Sequence, residues 1–203
     1  MNFAEYLKSS PLIAILRGIT VPEVPGVCAA LLENGIALLE IPLNTPNALE
    51  CIKEAGKYAA NRQLVGAGTV LTVEDVENVC AAGGKFIISP HTDTAVIRRT
   101  KELGLISIPG FFTPSEGFTA LAAGADYLKL FPAGCMGKSY VKDLKAVMKT
   151  DILAVGGVDA GNLKDFLSVC PGAGIGSALY KSGRSIEEVS RNAKELMSIV
   201  RNC

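Results

Sequence analysis

The chain has 203 residues, of which 20 are basic and 20 acidic, so its formal net charge is zero. This balance disfavours binding to nucleic acid or to an anionic membrane surface, because both usually require a basic patch. No apolar stretch reaches the roughly 18 residues of a membrane span, and no basic segment precedes the short apolar run near the N-terminus. We therefore expect neither a membrane span nor a secretory signal.

Short apolar segments alternate with amphipathic helical segments along the chain. Phe3–Ser9 predicts a short N-terminal helix. Eight strands are predicted: Leu12–Leu16, Leu38–Leu43, Leu64–Gly66, Phe86–Ser89, Leu105–Ile108, Tyr127–Leu130, Ile152–Val155 and Gly172–Gly176. Helices predicted after N-caps at Thr72, Asp93 and Ser185 are Glu74–Ala82, Ala95–Leu103 and Ile186–Val200. Eight β/α repeats predict a single (β/α)₈ barrel domain over residues 1–203, and an open doubly wound sheet is the alternative.

Cysteine and histidine usage bears on the redox compartment and on metal binding. The six cysteines are widely spaced and include no CxxC pair, which predicts free thiols in a cytoplasmic protein. His91 is the only histidine, which disfavours a histidine-rich metal site.

Unusual residues fall at the predicted strand ends, where barrel enzymes carry their active sites. These residues are Arg17, Glu40, Thr69, Pro90, His91, Pro109–Phe111, Lys129, Gly156, Gly157, Gly176 and Ser177. Packing alone does not require this distribution, so it predicts a functional site.

Strand alternation indicates where Glu40 and Lys129 point. Leucines and isoleucines on either side of each residue share one face, so both charged side chains are expected inside the barrel. A buried lysine without a partner is costly, and its pKa falls until the neutral amine can attack a carbonyl carbon. The two residues are thus either a structural ion pair or a base and a nucleophile. For Lys129 alone, a side chain that reaches solvent is a further alternative.

Two glycine turns predict a phosphate site. Gly156-Gly157 and Gly174-x-Gly176-Ser177 follow the seventh and eighth strands, where such barrels commonly bind phosphate through backbone N–H groups. Tight turns also use glycine, so each motif alone is weak. Arg17 suits a carboxylate or phosphate ligand, with an ordinary surface arginine as the alternative.

Five segments together resemble one enzyme family. They are Pro11–Gly18, Glu40–Pro46, Gly66–Val70, Leu128–Ala133 and Ala154–Val158. In this order they are similar to the aldolases of 2-keto-3-deoxy-6-phosphogluconate (KDPG) and of its galactonate epimer (KDPGal), a family that also includes 4-hydroxy-2-oxoglutarate (KHG) aldolase activity. The resemblance implies a class I aldolase on a (β/α)₈ barrel, a homotrimer, a small-molecule substrate, and no metal or cofactor.

The resemblance also implies a role for each matching residue. Lys129 becomes the Schiff-base lysine and Glu40 the general acid and base. Arg17 and Thr69 hold the pyruvyl carboxylate, the Gly156-Gly157 and Gly176-Ser177 loops hold the phosphate, and Phe131 and Pro90 line the pocket. Val155 stands immediately before the Gly-Gly pair, where galactonate-type members have valine and gluconate-type members threonine. The resemblance therefore favours KDPGal, with some activity on KDPG.

Two segments depart from the family pattern. The turn Asn44-Thr45-Pro46 lacks the arginine of many gluconate-type members, and Ser89–Thr92 differs from the usual loop, which leaves His91 without a role. The alternative functions are a phosphosugar isomerase or epimerase on the same barrel and a non-catalytic sugar-phosphate binding protein.

Overall fold

The computed structural model describes residues 2–59 and 62–203, which form a barrel of parallel strands surrounded by helices. The described strands are β1 (Leu12–Ile15), β2 (Leu38–Pro42), β3 (Leu64–Gly68), β4 (Phe86–Ile88), β5 (Ile106–Ile108), β6 (Gly110–Phe111), β7 (Leu128–Leu130), β8 (Ile152–Val155) and β9 (Ala173–Ile175). Every ladder between neighbouring strands is parallel, which requires a crossover between successive strands. The predicted barrel is confirmed, and the open doubly wound sheet is not formed.

The described helices include those that cross over between successive strands, together with one before the first strand and one after the last. They are α1 (Phe3–Ser9), α2 (Val24–Glu33), α3 (Ala48–Ala59), α4 (Val73–Ala81), α5 (Thr94–Glu102), α6 (Pro114–Ala122), α7 (Gly137–Val147), α8 (Leu163–Leu167) and α9 (Ile186–Arg201), with α1 ahead of the first strand. The three predicted N-caps are confirmed, because the side chains of Thr72, Asp93 and Ser185 accept hydrogen bonds from backbone N–H groups in the first helical turn. Across the described ranges, no helix combines the length and the apolar character that crossing a bilayer requires.

Pro109 divides the fifth strand into two parts that pair with different neighbours. β5 pairs with β4, whereas β6 pairs with β7. The Pro109 carbonyl accepts the Lys129 N–H at 2.9 Å, and the Ser107 carbonyl accepts the Asp126 N–H at 3.0 Å, so the bent strand closes the barrel. The sequence placed Gly110 and Phe111 after the end of the fifth strand at Ile108, whereas the structure places them in a strand of their own. Proline lacks the N–H that would continue one uniform ladder, so pairing resumes only beyond it.

Two hydrophobic cores lie on opposite faces of the strands. The outer core joins strands to helices and contains Leu39, Ile41, Leu128 and Leu130. The inner core fills the barrel with Ile13, Leu38, Phe86, Ile88, Ile108 and Leu153. This separation confirms that Glu40 and Lys129, which alternate with the outer residues, point into the barrel.

Helix α1 closes the N-terminal end of the barrel. Its apolar side chains Phe3, Tyr6 and Leu7 belong to the inner core. The Phe3 ring lies 5.4 Å from the Phe86 ring, edge on, and 5.0 Å from the Tyr127 ring, measured between centroids. Because this end is filled, access to the barrel interior is from the C-terminal ends of the strands.

Candidate active site

A cavity of about 660 Å³ opens at the C-terminal ends of the strands. It is lined by each residue that the resemblance places in the site: Arg17, Glu40, Thr69, Pro90, Lys129, Phe131, Val155, Gly156, Gly157, Gly176 and Ser177. Pro109–Phe111, which the sequence also singled out at a strand end, does not line it. The volume of the cavity is within the range typical of sites for small molecules. His91 is exposed and does not line the cavity, and the nearby Thr92 hydroxyl instead donates to the Gly110 carbonyl at 2.9 Å.

A second cavity of about 460 Å³ lies at the opposite end, between α1, α8 and the C-terminus of α9. Its charged lining residues are Lys8 and Asp151, and two cysteines, Cys170 and Cys203, also line it. Active sites of such barrels lie at the other face, and the buried Glu40 and Lys129 line only the larger cavity. The larger cavity is therefore the candidate active site.

Glu40 occupies space that a glycine leaves open. Its side chain is 2% exposed, and its Oε2 has no hydrogen-bond partner in the structure. A Cβ on Gly68 would stand 1.6 Å from Glu40 Oε1 and 2.4 Å from its Cδ, so residue 68 cannot carry a side chain while Glu40 keeps this position. Burial raises the pKa of Glu40, and the nearby charges of Lys129 and Arg17 only partly offset this effect.

Lys129 is buried beneath an aromatic ring. The side chain is 6% exposed, and its Nζ lies 4.7 Å from the centroid of the Phe131 ring. Burial lowers the pKa of Lys129, Glu40 acts in the opposite direction, and Arg17 lowers it further. Phe131 is itself 39% exposed, so its ring separates the amine from bulk solvent at the mouth of the cavity.

Glu40 and Lys129 share the cavity without forming an ion pair. None of the ion pairs found among the described residues joins them. Burial shifts both pKa values toward the uncharged form, upward for Glu40 and downward for Lys129. The arrangement thus fits a nucleophile with an adjacent acid and base, and not the structural ion pair that the sequence left open.

Thr69 has an unusual backbone conformation directly after β3. Its φ is +55°, in the left-handed region that β-branched residues rarely adopt. Such strain costs on the order of 1–3 kcal/mol and persists where the surrounding structure enforces it, often at functional sites. Here it places a hydroxyl-bearing residue at the wall of the cavity.

The two predicted phosphate loops meet at one side of the cavity. Gly156 and Gly157 have φ values of +88° and +72°, and a Cβ on Gly156 would stand 2.9 Å from the Phe131 ring. After β9, the N–H groups of Leu179 and Tyr180 both donate to the Gly176 carbonyl at 2.9 Å, which forms a tight turn around Ser177. These loops bring backbone groups close to the cavity, as an anion site requires.

Further residues line the cavity that the sequence did not single out. They are Ile15, Val158, Asp159, Ala178, Tyr180, Lys181 and Ser182. Asp159 and Lys181 matter most, because they add one charge of each sign near the phosphate loops. Both follow the predicted glycine turns by a few residues, in loops where no periodicity indicates which side chains face the cavity.

The turn Asn44-Thr45-Pro46, which differs from the family pattern, contacts the loop that carries Arg17. Thr45 is 4% exposed, and its Oγ1 accepts the Gly18 N–H at 3.0 Å. Local sequence patterns do not indicate this contact, because the two residues are 27 positions apart. Among residues 2–59 and 62–203, no cluster of three or more histidine, cysteine or acidic side chains is arranged to hold a metal ion.

Comparison with known proteins identifies the family. The model of the KDPG and KHG aldolase family matches residues 3–194. A Rhizobium meliloti (strain 1021) protein named "Probable 2-dehydro-3-deoxy-6-phosphogalactonate aldolase" is 45% identical over 186 residues, which cover 90% of this chain and 88% of that protein. The 2-dehydro-3-deoxy-6-phosphogalactonate aldolase of Escherichia coli (strain K12) is 42% identical over 194 residues, which cover 94% and 95%. A solved structure named "Native KDPGal structure" superposes with a TM-score of 0.92 at 40% identity and covers 95% of each chain. The chain therefore belongs to the KDPG and KHG aldolase family of carbon–carbon lyases.

Proposed function

We propose that this protein is a class I aldolase that cleaves KDPGal, and more slowly KDPG, to pyruvate and glyceraldehyde 3-phosphate. One observation carries the proposal: a buried lysine and a buried glutamate share a single cavity without forming an ion pair. Family membership and the names of the two relatives support the same reaction.

Lys129 begins the reaction as a nucleophile. Its neutral amine attacks the C2 ketone of the substrate, and loss of water gives an imine that is protonated at nitrogen. The burial that lowers the pKa of Lys129 increases the fraction of neutral amine available for this attack. The imine then accepts the electron pair of the C3–C4 bond and becomes an enamine.

Glu40 moves the protons of the cleavage step. Its carboxylate, through a water molecule, takes the proton of the C4 hydroxyl while the C3–C4 bond breaks and the aldehyde forms. It then returns a proton to C3 of the enamine, and hydrolysis of the resulting imine releases pyruvate. The unpartnered Oε2 is free to take part in these transfers, and the raised pKa brings the carboxyl closer to the range in which both directions are efficient.

The two anionic ends of the substrate have separate ligands. We assign the pyruvyl carboxylate to Arg17 and Thr69, and the phosphate to the Gly156-Gly157 and Gly176-Ser177 loops. Lys181 adds a positive charge on the phosphate side, where it offsets the negative charge of Asp159. A doubly charged phosphate group needs such compensation, because glycine N–H groups alone contribute only partial charges.

Val155 supports the assignment of KDPGal as the preferred epimer. It lines the cavity and is buried, and its Cγ2 would lie 3.0 Å from a Cβ on Gly174. The two epimers differ only at the C4 hydroxyl. A threonine at this position could donate a hydrogen bond to an oxygen there, which a valine of similar shape cannot do. One such bond contributes roughly 0.5–1.5 kcal/mol, so we expect a preference of tenfold or less.

We also propose that the protein is a homotrimer that acts in the cytoplasm. The exposed aromatic side chains of Phe112 and Phe118 support association, and six free cysteines fit a reducing compartment. A solution mass three times that of one chain, from light scattering, would agree with this assembly.

Trapping with borohydride tests the reaction directly. Incubation with pyruvate and borohydride should add one stable adduct, and peptide mapping should place it on Lys129. An adduct on another lysine, or none, would contradict the proposed chemistry. Values of kcat/KM for KDPGal and KDPG, measured for the wild type and for Val155→Thr, then test the epimer preference. We expect the ratio to move toward KDPG in Val155→Thr, and an unchanged ratio would show that this position does not set the specificity.

A further inference from the structure

The Arg17 side chain extends from a tight turn whose geometry depends on Gly18. The Ile19 N–H donates to the Leu16 carbonyl at 3.3 Å, so Arg17 and Gly18 are the two central residues. Gly18 has a φ of +80°, the value that the second central residue of a type II turn requires. In a type I turn, the peptide group between the two central residues is rotated relative to its orientation in a type II turn, and the second central residue has a negative φ.

The two turn types place the Arg17–Gly18 peptide group in different orientations. Rotating this group changes the ψ angle of Arg17 by roughly 150°, which alters the course of the backbone that carries the guanidinium. A contact to this peptide group therefore bears on where the Arg17 guanidinium lies.

Thr45 provides this contact from the neighbouring loop. Its Oγ1 accepts the Gly18 N–H, the donor of the peptide group in question, at 3.0 Å. Thr45 is 4% exposed, and its own N–H donates to the Pro42 carbonyl at 2.9 Å, so the acceptor is held in place by β2. On the other side, a Cβ on Gly18 would stand 3.2 Å from Ser182 Cβ. The Arg17–Gly18 turn thus has a hydrogen bond to Thr45 on one side and lies close to Ser182 on the other.

We propose that Thr45 is a positioning residue for substrate recognition: by fixing the Arg17–Gly18 peptide group, its hydroxyl holds Arg17 in position for the pyruvyl carboxylate. The proposal rests on the function assigned to Arg17 above. Thr45 does not touch the substrate in this account and does not line the cavity, whereas Arg17 does.

The test replaces the Thr45 hydroxyl with a methyl group of the same shape. Thr45→Val should weaken pyruvate binding about tenfold, because the Gly18 N–H loses its buried acceptor and the turn can change type. Affinity is measured from the pyruvate concentration dependence of borohydride trapping. Thr45→Ser keeps the hydroxyl and should restore wild-type affinity, which a purely structural role for the methyl group would not predict. Binding of glyceraldehyde 3-phosphate should stay within about twofold of wild type in both variants, since the phosphate loops are unchanged.

Thr100→Val is the matched control. Thr100 is buried like Thr45, and its hydroxyl donates to the Val96 carbonyl at 2.7 Å within α5, away from the cavity. Thr100→Val should lower the thermal stability about as much as Thr45→Val does, but it should leave the pyruvate affinity unaltered.

A double-mutant cycle links Thr45 to Arg17. In an Arg17→Ala background, Thr45→Val should have no further effect on pyruvate affinity, because the group that it positions is gone. Equal effects in both backgrounds would overturn the proposal, as would wild-type affinity in Thr45→Val. If Thr45→Val does not fold, Thr45→Ala and Thr45→Ser carry the same comparison. Failure of the wild type to be trapped at all would instead contradict the proposed aldolase function.

Discussion

The close approach of Gly68 to Glu40 allows the carboxyl group to be displaced without altering its chemistry. In Gly68→Ala, the new Cβ would be 1.6 Å from Glu40 Oε1, 2.4 Å from Cδ and 2.9 Å from Cγ. Ordinary contacts between such atoms begin near 3.4 Å. The carboxyl group must therefore move by well over 1 Å. Gly68 does not have a positive φ, so alanine brings no backbone strain of its own.

Two magnitudes follow for Gly68→Ala. Overpacking of this kind costs about 1–3 kcal/mol of folding free energy. Displacement of the general base should lower kcat by a factor on the order of 10²–10⁴. Trapping of pyruvate on Lys129 should persist, because imine formation depends on the lysine and not on removal of the C4 hydroxyl proton.

The assay compares kcat, borohydride trapping and thermal stability in Gly68→Ala, Gly56→Ala, Glu40→Gln and the double variant Glu40→Gln/Gly68→Ala. Gly56→Ala is the control, since a Cβ there meets nothing within 4 Å and lies inside α3, where alanine adds about 0.5–1 kcal/mol of stability. In Glu40→Gln the base is already lost, so adding Gly68→Ala should reduce the rate little further. A Gly68→Ala enzyme with wild-type kcat would refute the assignment of Glu40 as the proton-transfer group.

Two further predictions concern the charged groups of the cavity. Because the pKa of Lys129 is lowered in the folded protein, the unfolded chain binds this proton more tightly, and wild-type stability rises with pH between the lowered value and 10.5, the ordinary lysine pKa. Lys129→Met should therefore be more stable than the wild type near neutral pH, as measured by urea unfolding. This difference in unfolding free energy should shrink toward pH 10.5, by at most about 1.4 kcal/mol per pH unit. A difference that stays constant with pH would contradict a lowered pKa of Lys129. Lys181→Gln should raise KM for the phosphorylated substrate about tenfold but leave the aldol reaction of pyruvate with unphosphorylated glyceraldehyde unchanged. Lys164→Gln, an exposed lysine outside the cavity, is its control, and equal effects of the two substitutions would show that Lys181 does not bind the phosphate.

Local sequence patterns were sufficient for the parts of the site that belong to strands. Alternation along β2 and β7 placed Glu40 and Lys129 inside the barrel, because a strand fixes the direction of each side chain. Residues that directly follow strands, such as Arg17 and Thr69, were found for the same reason. The predicted and observed ends of the strands differ by a few residues. For example, β3 was predicted to end at Gly66 and continues to Gly68.

Features that depend on tertiary contacts could not be predicted in this way. The pairing of Gly110 and Phe111 with β7 depends on how the bent strand meets its neighbour, and nothing in the local sequence specifies it. The hydrogen bond between Thr45 and Gly18 joins two loops whose proximity follows only from adjacent strands. Lys181 lies in a loop, where no periodicity indicates which side chains face the cavity.

The filling of the barrel by α1 has a kinetic consequence. With the N-terminal end occupied by Phe3, Tyr6 and Leu7, substrate and both products must pass through one opening. In the proposed mechanism, cleavage leaves the three-carbon acid covalently attached to Lys129 in the barrel, whereas the aldehyde lies at the proposed phosphate loops beside the opening. The aldehyde should therefore depart first and pyruvate second. In steady-state measurements, pyruvate should then inhibit competitively with the substrate, and glyceraldehyde 3-phosphate non-competitively.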